Sequence, residues 1–248
     1  MSDYDRNVWR TGQTAGAADM SVDAGLRSFM LGVYNKVALG LVVSAVMAYV
    51  TSGPLRDVFF AVNANGRIGY SLPGMVVAFA PLAILLFSGF AMKNPTPRSA
   101  GMLYWTIVSL IGASLGVLVL LYTGASIATT FLVTATAFGG LSLIGYTTKR
   151  DLTAMGSFLI VGLIGIMVAS LVNIFLHSPA VHFIVSILGV LIFAGLIAYD
   201  TQRLKMSYYD LGGDQAAMGV ATNYGALSLY LDFINLFQFL LSIFGARR

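Results

Sequence analysis

The sequence predicts an all-α membrane protein with seven transmembrane helices. Three observations carry that prediction. Of 248 residues, 58% are apolar and only 10% are charged, whereas a soluble domain carries about 25% charged residues. Seven stretches are apolar over the roughly 20 residues needed to cross about 30 Å of hydrocarbon. The basic residues are scattered through the short connections between those stretches instead of forming one patch.

Taken in order, residues 1–30 form a polar N-terminal arm with Asp3, Asp5, Asp19, Asp23, Arg6, Arg10 and Arg27. The arm lacks the short apolar core and small-residue cleavage site of a secretory signal. The first span is therefore expected to stay as an uncleaved anchor, with the arm mobile in the cytoplasm. The transmembrane domain occupies 31–248. Its spans are expected at Tyr34–Ser52, Pro73–Met92, Met102–Thr123, Ala125–Thr147, Ser157–Leu176, Val181–Thr201 and Tyr224–Gly245. The third and fourth, and the fifth and sixth, are joined by tight turns that imply adjacent antiparallel helices. Gly53–Ser71, with Pro54, Asn63, Asn65 and Gly66, reads as an exposed loop. Leu204–Asn223 reads as a loop between the last two spans.

Orientation follows from the cations. The N-terminal side holds Arg6, Arg10, Arg27, Lys93, Arg98, Lys149, Arg150, Arg203 and Lys205; the other side holds Arg56, Arg67, Arg247 and Arg248. Lys36 lies near the first boundary. The imbalance favours a cytoplasmic N-terminus, against the pull of the terminal arginine pair. The net charge of +4 is thus a matter of membrane orientation, and nucleic acid is not expected as a partner. Gly112-x-x-x-Gly116, Gly139, Gly140 and Gly162-x-x-Gly165 have the spacing of helix-packing contacts. Tyr104, Trp105, Tyr122, Tyr146, Tyr199 and Tyr224 fall near span ends, as in an interfacial aromatic belt.

Few residues can carry chemistry. Cysteine is absent and all ten acidic residues are aspartate. His177 and His182 flank an outer turn and suit solvated positions better than metal ligation, so no stable metal site and no cofactor are expected. A carboxylate within a span is costly unless it is protonated, paired or facing water. Asp232 sits inside the last span with no cation in that span before Arg247, and Asp200 sits at the end of the sixth. Both fall in the half of the membrane nearer the N-terminal side, where they could meet. Two touching carboxyl groups do not readily ionise together and titrate as a unit. Such a pair can hold one proton and latch two helices; without it, the pair repels itself or attracts a hard cation such as Ca²⁺. The plainer alternative for Asp200 is a solvated interfacial residue beside Arg203. Helical rise makes Asp232 nominally deeper than Asp200, so contact requires the sixth helix to start deeper or the seventh to begin later than drawn. Asn173, Asn235, Gln202 and Gln238 suit bonds across helices.

The segment Ala226-Leu-Ser-Leu-Tyr-Leu-Asp-Phe-Ile-Asn-Leu-Phe237 resembles the last-span signature of the transmembrane Bax inhibitor motif family. Tyr199-Asp-Thr-Gln-Arg203 is similar to that family's sixth-span motif, and Lys149-Arg-Asp-Leu-Thr153 to its loop before the fifth span. The resemblance runs from about Arg27 to the C-terminus. It implies six helices around a central, hydrophobic seventh, and a pH-gated cation leak, chiefly for Ca²⁺, with Asp200 and Asp232 in the place of the di-aspartyl latch. Ca²⁺ would bind there only transiently. Some relatives hold the sixth-span aspartate with an arginine after the second span. Here that region reads Ala91-Met-Lys-Asn-Pro-Thr-Pro-Arg98, so Lys93, then Arg98, are the counterpart candidates, with Arg203 a further counter-charge. Lysine lacks the planar fork of arginine. The Leu204–Asn223 loop looks longer than in compact bacterial relatives.

The family that the chain resembles occurs in bacterial plasma membranes and eukaryotic organelles alike; the short loops and uncleaved first anchor fit a bacterial inner membrane, and the expected partners are Ca²⁺, protons and the bilayer. An alternative is a non-transporting interaction protein that regulates a membrane protease or a stress or cell-death response, docking through the N-terminal arm. An intramembrane aspartyl protease is disfavoured: Leu211-Gly-Gly-Asp214 lacks the first glycine of Gly-x-Gly-Asp, and no glycine adjoins Asp232. No nucleophile–base pair is present, so an enzyme is not expected.

Overall fold

A computed structural model describes residues 3–62, 66 and 68–248, with the side chains of 3–23, 90 and 91 outside the description. The chain forms α1 (Asp3–Ser52), α2 (Arg56–Phe59), β1 (Phe60–Val62), β2 (Ile68–Tyr70), α3 (Leu72–Ala91), α4 (Pro97–Leu121), α5 (Gly124–Thr147), α6 (Thr153–Leu176), α7 (Pro179–Asp210) and α8 (Gln215–Phe244). All the helices except α2 contain a stretch long and apolar enough to span a membrane, giving seven such helices among the described residues. Their starts are written in the sequence. Ser71, Thr96, Thr123, Ser178 and Asp214 each accept a backbone N–H of the first turn, and prolines follow three of these caps. A side-chain acceptor at that position satisfies a donor that the helix itself cannot.

α8 is the central element: 56% of its apolar window is buried, against 11% for α3 and α6. It packs on α1, α4, α5 and α7, while α3 sits chiefly on α4 and α6 on α7. The expected ring of six thus consists of four helices in contact with the centre and two seated outside them. Tyr230, Phe233, Leu229, Leu236 and Leu241 of α8 are almost wholly enclosed.

Several boundaries differ from those expected. α1 already carries the core residues Leu26, Phe29 and Met30, so the transmembrane body takes in residues that composition assigned to the polar arm. The side chains of the earlier arm residues lie outside the described set. The exposed loop at Gly53–Ser71 is instead a helical turn and an antiparallel hairpin with Phe60 opposite Tyr70. Phe60 is buried, and Tyr70 Oη donates to Ser114 O of α4 at 3.0 Å. Most consequential, the loop expected at Leu204–Asn223 is almost all helix. α7 continues to Asp210 and α8 begins at Gln215, leaving only Leu211–Asp214 as a turn. Gly212 and Gly213 have φ of 56° and 87° there, a region open to glycine at no steric cost.

The packing glycines are only partly those expected. A Cβ on Gly112 or Gly116 would strike Ser44 and Thr51 of α1, so this pair does bring α1 and α4 close. A Cβ on Gly162 would meet Ile192. Gly139, Gly140 and Gly165 face open space, since their side of each helix has no protein neighbour. Tyr104 is not a belt residue: it is fully buried, and its hydroxyl donates to Lys36 O at 2.6 Å. Tyr122 is also buried.

Candidate functional site

α7 and α8 run antiparallel, and their close approaches follow one another along the pair. Gly225 meets Leu204, Arg203 Nη2 donates to Ser228 Oγ at 3.3 Å, Gly189 meets Phe239, and Ser186 and Ser242 share a hydrogen bond at 3.2 Å. Between the first two and the last two, Asp200 and Asp232 come within side-chain hydrogen-bond reach of each other. The last span does not begin later, as contact was expected to require: α8 begins earlier, at Gln215, and α7 runs on to Asp210, so Asp200 lies within its helix and not at its end. The first turns of α8 lean toward α4, where a Cβ on Gly219 would touch Pro97 and Asn223 Nδ2 donates to Pro97 O at 3.1 Å.

Both aspartates are enclosed, Asp200 at 8% exposure and Asp232 at 5%. Their surroundings differ. Asp200 Oδ1 stands 3.2 Å from Arg203 Nη2, one turn along its own helix. Asp232 Oδ2 is buried with no hydrogen-bond partner among the described residues. Arg203 also lies over the Tyr199 ring at 5.7 Å, so its exposed guanidinium is tethered from three directions.

Lys93 and Arg98 do not take the counter-charge position. Both are exposed in and just after the short turn between α3 and α4, and neither forms an ion pair with the aspartates among the described residues. α7 carries its own arginine one turn from Asp200. Local helical spacing therefore supplies the cation that a distant loop was expected to provide.

Gln202 is a site residue that spacing did not single out for this role. Its Oε1 accepts Leu152 N and its Nε2 donates to Arg150 O, both at 2.8 Å. It pins the α5–α6 turn to α7 two residues after Asp200. Within that turn Asp151 Oδ1 accepts Thr153 N at 2.8 Å. Hydrogen bonds from Thr153, side chain first and backbone second, hold the Asp151 carboxyl below its ordinary range. Deeper in the bundle, Ser44 and Tyr230 share a hydrogen bond at 2.6 Å between α1 and α8. Asn235 and Asn173 bond locally instead of across helices, Asn235 donating to Leu231 O and Asn173 accepting Ser178 N, while His177 and His182 are exposed, His182 of α7 meeting Ser242 of α8 at 2.8 Å.

Chemically, two enclosed carboxyl groups in contact, with an ion pair on only one, can hold and release a proton and present hard oxygen ligands. The family described as inhibitor of apoptosis-promoting Bax1 matches residues 26–248. The chain is 66% identical to a protein of Caulobacter vibrioides over the full length of both. It is 42% identical to a protein of Rickettsia prowazekii, again over both full lengths. With the inner membrane protein YbhL of Escherichia coli it shares 43% identity over 91% of this chain and 94% of that one.

Proposed function

The chain belongs to the Bax inhibitor family of multi-pass membrane proteins, and on that premise we propose that it is a pH-sensitive cation leak, chiefly for Ca²⁺. Asp200 and Asp232 form its latch between α7 and α8. The single observation that carries this reading is the contact between two enclosed carboxyl groups from neighbouring helices.

The proposed cycle follows from charge. With one proton on the pair, Asp232 donates to Asp200, whose negative charge also faces Arg203. The two helices are then held together. Without the proton, like charges about 4 Å apart repel by about 4 kcal/mol at an effective dielectric of about 20. The helices separate, water enters, and the exposed oxygens become transient ligands for Ca²⁺. No catalysis is assigned to the chain. The N-terminal side is taken as cytoplasmic, because it holds most of the Lys and Arg residues, and the inner membrane as the location, by likeness to the Escherichia coli relative.

The test is Ca²⁺ flux into liposomes across a pH series, for wild type, Asp200→Asn and Asp232→Asn. The expected result is a pH-dependent flux in wild type and a flattened profile in both variants. Two variants that keep the wild-type flux and profile would remove the latch. In that case the alternative of a non-transporting regulator of a membrane protease or stress response gains, and deletion of residues 1–27 in a complementation assay is its decisive measurement.

A further inference from the structure

On the N-terminal side of the bundle, α1 and α5 stand apart over a groove of about 840 Å³. Arg27 and Tyr34 line it from α1, and Phe138, Gly139, Ser142, Leu143 and Tyr146 from α5. Its volume lies in the range of small-molecule sites, and its makeup is theirs too: mostly apolar walls with a few polar groups. Arg27 to Tyr34 covers about 10 Å of helix and Phe138 to Tyr146 about 12 Å. The groove therefore starts at a cation near the membrane surface and runs inward along apolar walls.

Three further observations concern what fills it. Gly139, on the α5 wall, faces open space where a Cβ would meet nothing within 4 Å. Ser142 is 5% exposed and its Oγ has no hydrogen-bond partner among the described residues. Its neighbours Thr134, Thr136 and Thr147 on the same helix each donate to the carbonyl four residues back, so Ser142 is the hydroxyl on α5 that keeps its donor free beside the groove. At the mouth, Arg27 is exposed, and Lys205 Nζ donates to Tyr146 O at 2.9 Å and sits over the Tyr146 ring. The mouth is thus cationic and the interior apolar.

We propose that this groove binds an anionic phospholipid of the bilayer, with its phosphate at Arg27 and one acyl chain along Tyr34, Phe138 and Leu143. Basic pockets between transmembrane helices recognise such head groups, and the gradient from charge to hydrocarbon matches the lipid in both chemistry and direction. The back of the groove adjoins the centre of the fold. Tyr34 meets Phe138 edge-on, and Phe138 meets Phe233 in the same way. Phe233 is the residue after Asp232, so an acyl chain would press on a stack that ends next to the candidate latch.

The experiment is native mass spectrometry of the full-length protein in detergent with added phosphatidylglycerol, phosphatidylcholine or glycerol phosphate. Wild type, Arg27→Gln and Gly139→Leu are compared. Wild type is expected to retain one phosphatidylglycerol in preference to phosphatidylcholine and to ignore glycerol phosphate. Arg27→Gln is expected to reduce that preference about fivefold, the effect of one surface cation. Gly139→Leu places its Cβ in open space, projects its side chain into the groove and improves helix propensity, so it should fold and lose the lipid. Equal retention by all three proteins would overturn the proposal. So would displacement of phosphatidylglycerol by glycerol phosphate, or a dimer in wild type that Gly139→Leu abolishes, since a free anion or a second copy would then be the occupant. None of these readouts depends on ion flux.

Discussion

At the scale of single residues, the two aspartates show how little of a site's electrostatics lies in the residues alone. Asp200 and Asp232 were recognisable as uncommon, because a span tolerates few carboxylates. The cation beside them was less so. The family resemblance favoured Lys93, then Arg98, with Arg203 a further candidate; helical spacing puts Arg203 one turn from Asp200 at 3.2 Å, a relation that Tyr199-Asp-Thr-Gln-Arg203 already contained. Gln202 was foreseen only as a bond across helices; that it clamps the backbone of Arg150 and Leu152 requires knowing which turn lies beside it. That turn yields a prediction with a definite sign. The Asp151 carboxyl is held below its ordinary range by Thr153, so its contribution is present above the unfolded value near pH 4 and fades as pH falls through the folded one. Asp151→Asn keeps an acceptor but no charge. Thermal unfolding in detergent should show wild type slightly more stable at neutral pH and the difference gone in strong acid.

At the scale of elements, helix existence was legible and helix length was not. Hydropathy marks only the part of a helix that meets hydrocarbon. The polar turns Lys205–Asp210 and Gln215–Asn223 extend α7 and α8 beyond it, and nothing in hydropathy separates a protruding helix from a loop. Likewise, spacing flags small residues without saying which face is covered. Gly112 abuts Ser44, whereas Gly165 abuts nothing. Gly112→Leu should therefore force α1 and α4 apart at a cost of about 1–3 kcal/mol, the usual penalty of overpacking. Gly165→Leu should be neutral or mildly stabilising. Unfolding midpoints of the two variants in the same detergent distinguish them, and equal losses would contradict the packing described.

At the scale of the whole molecule, an odd number of spans puts the two ends of the bundle's chain on opposite faces. The absence of cysteine makes this easy to examine with single introduced thiols. Thr148→Cys and Ala217→Cys should react with an impermeant maleimide from one side of the membrane, and Gly66→Cys from the other. Labelling of all three from the same side would require a different number of crossings. The central place of α8 was implied by family resemblance and is visible in burial, but the unequal ring around it was not. α3 and α6 are as apolar as their neighbours, so composition does not tell a helix that touches the centre from one that only touches the ring.

The short turn at Leu211–Asp214 has a mechanical consequence. α7 has 32 residues and measures about 48 Å, well beyond the hydrocarbon it crosses. No glycine or proline interrupts it between Asp200 and Asp210. That stretch is a stiff crank about 15 Å long, with its handle at the turn and the carboxyl pair at its other end. A sideways push on the handle meets no hinge before the aspartates, and the bonds of Gln202 and Lys205 to the α5–α6 corner set the point about which it turns.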